Sequence, residues 1–220
     1  AELRPQVARL YDEAESRARS AGVAGFDEAR PILCILKFAG LPRLARVECE
    51  LALEMAARHG AVTAGLQPYE HWEATRYQSY STRWQTEGHH MDTIEVTAAW
   101  SALPALYRAC REAVLSLCDG EHFGAHWSHV YPEGACQYMT LRLPPMAHDR
   151  ALDLHRQAWD RVQRLTLAHG GSIAHHHGAG WFRGPWMAEE LGGGLPLLQA
   201  IKDALDPQGL CNPGKLGLRG

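Results

Sequence analysis

The chain has 220 residues, 46% of them hydrophobic and 21% charged, and a formal charge of -3. That is enough polypeptide to bury one large core, with the balance of a soluble globular protein rather than a disordered one. No apolar run reaches the roughly 20 residues of a membrane span, no signal peptide is visible, and charges of both signs are interspersed, so neither nucleic acid nor an anionic membrane surface is an expected partner. The text begins at Ala1 without an initiator methionine, and it reads as a fragment or a processed chain.

In chain order, Ile32 to Phe38 is a short apolar run ended by Gly40 and Pro42, and it predicts a strand. Leu44, Val47, Leu51 and Met55 then recur at helical spacing. Asp92 to Thr97 alternates polar residues with Ile94 and Val96, the pattern of a half-buried strand. Two further helical stripes follow, Leu103, Leu106, Cys110, Ala113 and Leu117, and then Ala151, Leu154, Ala158, Val162 and Leu165. Between them Glu121 to Tyr131 and Ala135 to Leu143 read as a hairpin turned by Pro132, Glu133 and Gly134. A short strand at Gly171 to Ala174 and a C-terminal helix complete the order. The expected fold is α+β, a mostly antiparallel sheet with helices packed on one face, and the order also reads as two β-α-β, ferredoxin-like halves. Six cysteines lie singly in apolar stretches, which points to buried reduced thiols rather than disulfides or a zinc knuckle.

A three-residue turn would set Ser128 opposite Tyr138 and His126 opposite Thr140. The side-chain period of two then puts Phe123, Trp127, Met139, Leu141 and Leu143 on a core face, and His126, Ser128, Tyr138, Thr140 and Arg142 on a polar one. Such a polar, aromatic face suits a binding wall or a solvated sheet surface. The most unusual stretch is His175-His176-His177-Gly178-Ala179-Gly180. It fits a functional loop at a strand end, a solvated loop or a metal site; neighbouring histidines in an extended segment point to alternate sides, which counts against a single ion. His126 and His129 are further ligand candidates, and Arg76, Arg83 and Arg142 offer guanidinium forks to an anionic group.

The run Ala200-Ile201-Lys202-Asp203-Ala204-Leu205-Asp206-Pro207-Gln208-Gly209-Leu210-Cys211-Asn212-Pro213-Gly214-Lys215-Leu216 resembles the ending of FAD-linked oxidases of the vanillyl-alcohol-oxidase superfamily. Where that superfamily commonly reads Glu-His-Gly-x-Gly, this chain has His176-His177-Gly178-Ala179-Gly180, which resembles the alkyldihydroxyacetonephosphate synthase branch. Arg4 to Asp12, Asp92 to Trp100 and Glu133 to Tyr138 agree with the same branch. The resemblance implies a substrate or cap domain over residues 1–205 and a tail, 206–220, that packs on an N-terminal FAD-binding domain. It implies an enzyme using FAD held mainly by that other domain, which replaces the acyl group of an acyl-dihydroxyacetone phosphate by a long-chain alcohol in ether lipid synthesis. The alternative is an FAD-linked oxidase or dehydrogenase of a small 2-hydroxyacid.

By that resemblance Tyr138, His176 and His177 are catalytic, Arg83, His175 and His126 meet substrate, and His176, His177 and Asn212 meet the cofactor. Metal-dependent 2-hydroxyacid dehydrogenases of the superfamily carry Gly-Asp-Gly-Asn-Leu-His where this chain has Glu133-Gly134-Ala135-Cys136-Gln137-Tyr138. A histidine ligand thus becomes Tyr138 and a glutamate ligand becomes His176, so no metal is expected. The expected partners are a small-molecule or lipid substrate and the flavin domain, with a homodimer open, and the expected location is cytoplasmic or peripheral to a membrane.

Overall fold

The computed structural model describes residues 3–78, 88–120 and 123–219. Its centre is a five-stranded antiparallel sheet in the order β2-β1-β4-β5-β3, made of β1 (Val7–Tyr11), β2 (Leu33–Lys37), β3 (His90–Ala99), β4 (Phe123–Val130) and β5 (Gly134–Leu143). Helix α1 (Glu13–Ser20) joins β1 to β2; α2 (Pro42–Arg58) and α3 (Gln67–Thr75) follow β2. Helix α4 (Leu103–Leu115) links β3 to β4, and α5 (His148–Ala168) follows β5. Two short helices, α6 (Met187–Leu191) and α7 (Gly194–Leu205), lead to the C-terminal tail.

The half from β3 to α5 is a split β-α-β arrangement, with β5 lying between β3 and β4. The expected strand at Gly171 to Ala174 is reduced to a single bridge, Ser172 against Thr97, on the free edge of β3. Helices α4 and α5 cover one face of the sheet through most of the residues their periodicity nominated, with Val114 and Trp159 buried in addition and Ala113, Leu117 and Leu165 only half-buried. Leu103, Leu106, Cys110 and Val114 from α4, and Ala151, Leu154, Ala158, Trp159 and Val162 from α5, are buried against Ile94, Val96, Phe123, Met139, Leu141 and Leu143. Each Val, Leu, Ile, Phe or Met among them contributes about 1.5–3 kcal/mol of hydrophobic stabilisation. On the opposite face α3 seals a smaller cluster of Tyr11, Leu33, Ile35 and Trp72, so helices overlap the margin of the polar face as well.

The hairpin register differs from expectation by two residues, with His126 opposite Tyr138 and Ser128 opposite Cys136. Val130 pairs with Ala135, which lengthens the turn by one residue, and His129 bulges out of the ladder at φ 50°. Two shifts of one residue sum to a full side-chain period, so the face assignments hold. The stripe on α2 behaves differently. Leu44, Val47, Leu51 and Met55 are 57, 51, 40 and 43% exposed, and Ala52 is the only residue of the helix that is buried. Beside it Leu3, Leu10, Leu36, Trp100, Leu103 and Trp127 line an apolar groove of about 750 Å³. All six cysteines are free thiols, with Cys110 and Cys136 buried and Cys34, Cys49 and Cys211 exposed.

Helix α1 is fixed by charge rather than by apolar contact. Asp12 caps it, with Oδ1 accepting from Glu15 N at 2.8 Å and Oδ2 accepting from Ala125 N and the Tyr107 hydroxyl, each at 2.9 Å. One turn on, the fully buried Glu15 receives the guanidinium of Arg142 from β5 and that of Arg19 at 2.6 Å. Gly124 admits this pair, since a β-carbon there would stand 2.9 Å from Glu15 Oε2. Burial alone would push the Glu15 carboxyl up, but Arg142 and Arg19 outweigh it and hold it at about 2 against an ordinary 4.5. The stability this supplies is present above pH 4.5 and drains away as pH falls toward 2. Arg142→Met is expected to cost about 3 kcal/mol or more, the scale for breaking a buried pair, and to flatten the loss of stability between pH 4.5 and 2 when urea unfolding is followed across that range.

Candidate functional site

The polar face of β3, β4 and β5 is not a solvated surface. Tyr138, half-buried in the middle of β5, lies opposite His126 on one side and Glu95 on the other. Its hydroxyl donates to Thr93 Oγ1 at 3.1 Å. The His126 ring stacks on the Tyr138 ring with centroids 4.7 Å apart, and Tyr11 backs His126 at 5.5 Å. His126, expected to meet substrate, is 4% exposed, its ring packed between those of Tyr138 and Tyr11. Burial, with Arg9 nearby, drops its pKa to about 3, so its imidazole is neutral at all ordinary pH values.

The histidine run meets this wall edge-on. The His177 ring stands perpendicular to Tyr138 at 5.1 Å, and His176 is 6.5 Å from it. The backbone from Ala174 to His177 bends instead of continuing as a strand, so alternation does not apply. His175 and His176 turn toward each other, their Nδ1 atoms 3.1 Å apart, and Tyr131 Oη lies 3.0 Å from His175 Nε2. His129 approaches from its bulge, with its ring 4.2 Å from that of His176. Cys136 Sγ, buried below them, is 3.9 Å from His176 Nδ1. Four donor atoms, one each from His129, Cys136, His175 and His176, lie within 4.8 Å of one another.

Two buried charges hold this loop down. Glu95, fully buried in β3, accepts the backbone N–H of His176 at 2.9 Å through Oε1. Arg183, 6% exposed, donates to Ile173 O at 2.7 Å, to Gly178 O at 3.0 Å and to Glu95 O at 3.1 Å. Its guanidinium also lies 3.5 Å from Glu95 Oε2 and 5.0 Å from the centre of the Trp159 ring. Burial would raise the Glu95 carboxyl, but the His176 N–H, the neighbouring histidines and Arg183 win and keep it below its usual range. His176 is shifted down by burial and by His177, His175 and Arg183, against the pull of Glu95. Sequence reasoning did not single out Glu95, Arg183, Thr93 or Cys136; a glutamate alternating with Ile94 and Val96 was the one available signal.

The structure thus brings together Tyr138, His126, His175, His176 and His177. Arg83 lies outside the described residues. Asn212 sits in the tail, in a left-handed turn, and the tail is tied back to the site loop where Leu216 N donates to Gly180 O at 2.8 Å. The tail expected to pack on another domain therefore also makes contacts within this chain.

Comparison with known proteins gives this arrangement a family. Residues 1–216 match the FAD linked oxidases, C-terminal domain. The chain belongs to that family. It is 26% identical to alkyldihydroxyacetonephosphate synthase of Trypanosoma brucei brucei over 97% of this chain and 39% of that protein. It is 27% identical to an uncharacterized FAD-linked oxidoreductase, YgcU, of Escherichia coli K12, over 97% of this chain and 46% of the other. Among solved structures an alkyldihydroxyacetonephosphate synthase superposes with a TM-score of 0.66 at 17% identity, covering 96% of this chain and 39% of its own. A 4-ethylphenol oxidase from Gulosibacter chungangensis, in complex with isoeugenol, gives 0.62 at 16% identity, over 100% of this chain and 48% of its own. The α+β fold is common to these structures, and the chain spans less than half the length of the curated relatives it matches. Among the described residues no helix is long and apolar enough to cross a membrane.

Arg183→Met would free three carbonyls and leave Glu95 buried without its guanidinium. Hydrogen exchange at the amides of residues 174–178 is then expected to speed up by at least tenfold, with a lowered unfolding midpoint; unchanged protection there would show that the clamp does not hold the loop.

Proposed function

We propose that this chain is the substrate-facing domain of an FAD-dependent enzyme of the alkyldihydroxyacetonephosphate synthase type, exchanging the acyl group of an acyl-dihydroxyacetone phosphate for a long-chain alcohol. The observation that carries the reading is the placement of Tyr138 between a neutral, buried His126 and the clamped histidine loop. Full-length coverage by the family and the two synthase likenesses support it.

The residues present suit the ring of a flavin better than its diphosphate. Gly178 and Gly180 have nothing within 4 Å of where a β-carbon would stand, which leaves open space at the loop that follows His177, room for a flat ring to lie against the backbone. No glycine-rich strand-to-helix turn of dinucleotide type occurs in the chain, so FAD is held mainly by a separate domain, with His176 and His177 at the ring and Asn212 contributing from the tail. FAD, when bound, supplies an electron-accepting ring.

The protein's own groups then handle protons and position. Tyr138 Oη, already hydrogen-bonded to Thr93, transfers the substrate proton, while the packed His126 ring keeps the phenol from rotating away. His176 and His177 orient the reacting carbonyl, and His175 and Arg83 take the phosphate end.

Two measurements test this. Purified alone, the chain is expected to be colourless; stoichiometric yellow flavin retained through gel filtration would move FAD binding onto this domain. In the complete enzyme Tyr138→Phe removes one oxygen and is expected to preserve fold and flavin while lowering turnover about a hundredfold, the scale of losing acid-base help. Retention of most of the ether-forming activity would make Tyr138 a wall residue only, and bleaching of the flavin by a small 2-hydroxyacid would replace the synthase reading with an oxidase or dehydrogenase.

A further inference from the structure

We propose that His129, Cys136, His175 and His176 form a tetrahedral site for a transition-metal dication, with Zn²⁺ the ion best suited to three imidazoles and one thiolate. With the ion bound, His175 and His176 are ligands and no longer face substrate or flavin, so the inference replaces the roles given to those two rings in the proposed reaction while leaving those of Tyr138 and His177, and it revises the expectation, drawn from the loss of the dehydrogenase-type ligands, that no metal binds.

The geometry carries it. Zn–N bonds of about 2.0–2.1 Å and a Zn–S bond of about 2.3 Å put tetrahedral donors roughly 3.3–3.6 Å apart. The two imidazole Nδ1 atoms of His175 and His176 already stand at 3.1 Å, and Cys136 Sγ at 3.9 Å from the latter. These two pairs need only a few tenths of an ångström to reach tetrahedral spacing, and the wider-set donors, all within 4.8 Å of one another, close by up to about 1.3 Å as the rings turn in. Each donor comes from a position fixed for another reason. Cys136 is pinned in β5 opposite Ser128, His129 stands out of β4 because the bulge leaves it at φ 50°, and the loop bearing His175 and His176 is held by Glu95 and Arg183.

An outer shell is also in place. Tyr131 Oη meets His175 Nε2 at 3.0 Å and Ser128 Oγ meets His129 Nδ1 at 3.2 Å, the kind of contact that fixes ring orientation in metal sites. Glu95 Oε1, 3.3 Å from His176 Nδ1 and 3.7 Å from Cys136 Sγ, supplies negative charge to a dication, with Arg183 and Arg9 partly opposing it. Binding forms one Zn–S and three Zn–N bonds, releases the Cys136 thiol proton to solvent and changes no oxidation state.

The test uses the 220-residue chain, stripped with a chelator and titrated with Zn²⁺ against a chromophoric competitor, with zinc K-edge X-ray absorption on the loaded protein. The expected result is one Zn²⁺ per chain in a first shell of one sulfur and three nitrogens. Cys136→Ser should give a sulfur-free shell, and His129→Gly, which suits the left-handed backbone there, and His175→Ala should each weaken binding about tenfold or more. Because His129 is exposed and His175 only partly buried, these two variants decide the matter even if Cys136→Ser unfolds. Failure to take up an equivalent, a shell without sulfur in the unaltered chain, sulfur retained in Cys136→Ser, or undiminished affinity in both histidine variants would overturn the proposal.

Discussion

Everything at the site hangs on a buried carboxylate and a guanidinium almost as deeply buried. Glu95 in the middle of β3 and Arg183 after the histidine loop would each be costly to bury alone, by several kcal/mol per ion even after relaxation. Together, with the His176 N–H on Glu95 Oε1, three backbone carbonyls on Arg183 and the guanidinium 3.5 Å from the otherwise unbonded Glu95 Oε2, much of that cost is offset. Arg183 lies on Trp159 of α5 while its fork reaches over β3 to the loop. The packing of the helical layer is thereby transmitted to the geometry of His175, His176 and His177.

A second charged knot performs a similar task at the other end of the sheet. Asp12 and Glu15 collect backbone N–H groups, the Tyr107 hydroxyl and two guanidiniums, and they seat α1 on the strand that ends in Arg142. Between these knots the polar face is left with His126, Tyr138 and Thr93, neutral groups that satisfy or stack on one another. Fixed charges thus stand at the margins of this face, with stacked and hydrogen-bonded rings and hydroxyls in its centre.

Much of this was legible in the sequence. The stripes on α4 and α5 are real core stripes because both helices lie flat on a sheet face, where a 3.6-residue period decides burial. Tyr138 and His126 were placed on the polar face although the register was wrong by two, since a strand forgives any even slip. Less was legible where neighbours override local pattern. Helix α1 buries Glu15, Ser16 and Ser20, so no apolar period marks it. Strand β1 carries Arg9 between Ala8 and Leu10 and reads as nothing in particular. The histidine run was read by strand alternation, but a bend held by Arg183 turns consecutive rings inward, and a contact between residues 95 and 183 leaves no trace in local spacing.

Helix α2 is well formed yet shows its apolar stripe to water, next to a groove lined by Leu10, Leu36, Trp100 and Trp127. Contiguous apolar surface of this kind is unusual for a free-standing globule. Two molecules meeting along it would exclude water without first having to fold the helix, so the ordering cost is confined to side chains and rigid-body freedom. Heating the isolated chain would therefore set unfolding against clumping, and its loss of structure would be governed by a rate that depends on concentration and scan speed instead of a reversible midpoint. Charges placed at Leu44, Val47 or Met55 act on that competition without touching the wall around Tyr138.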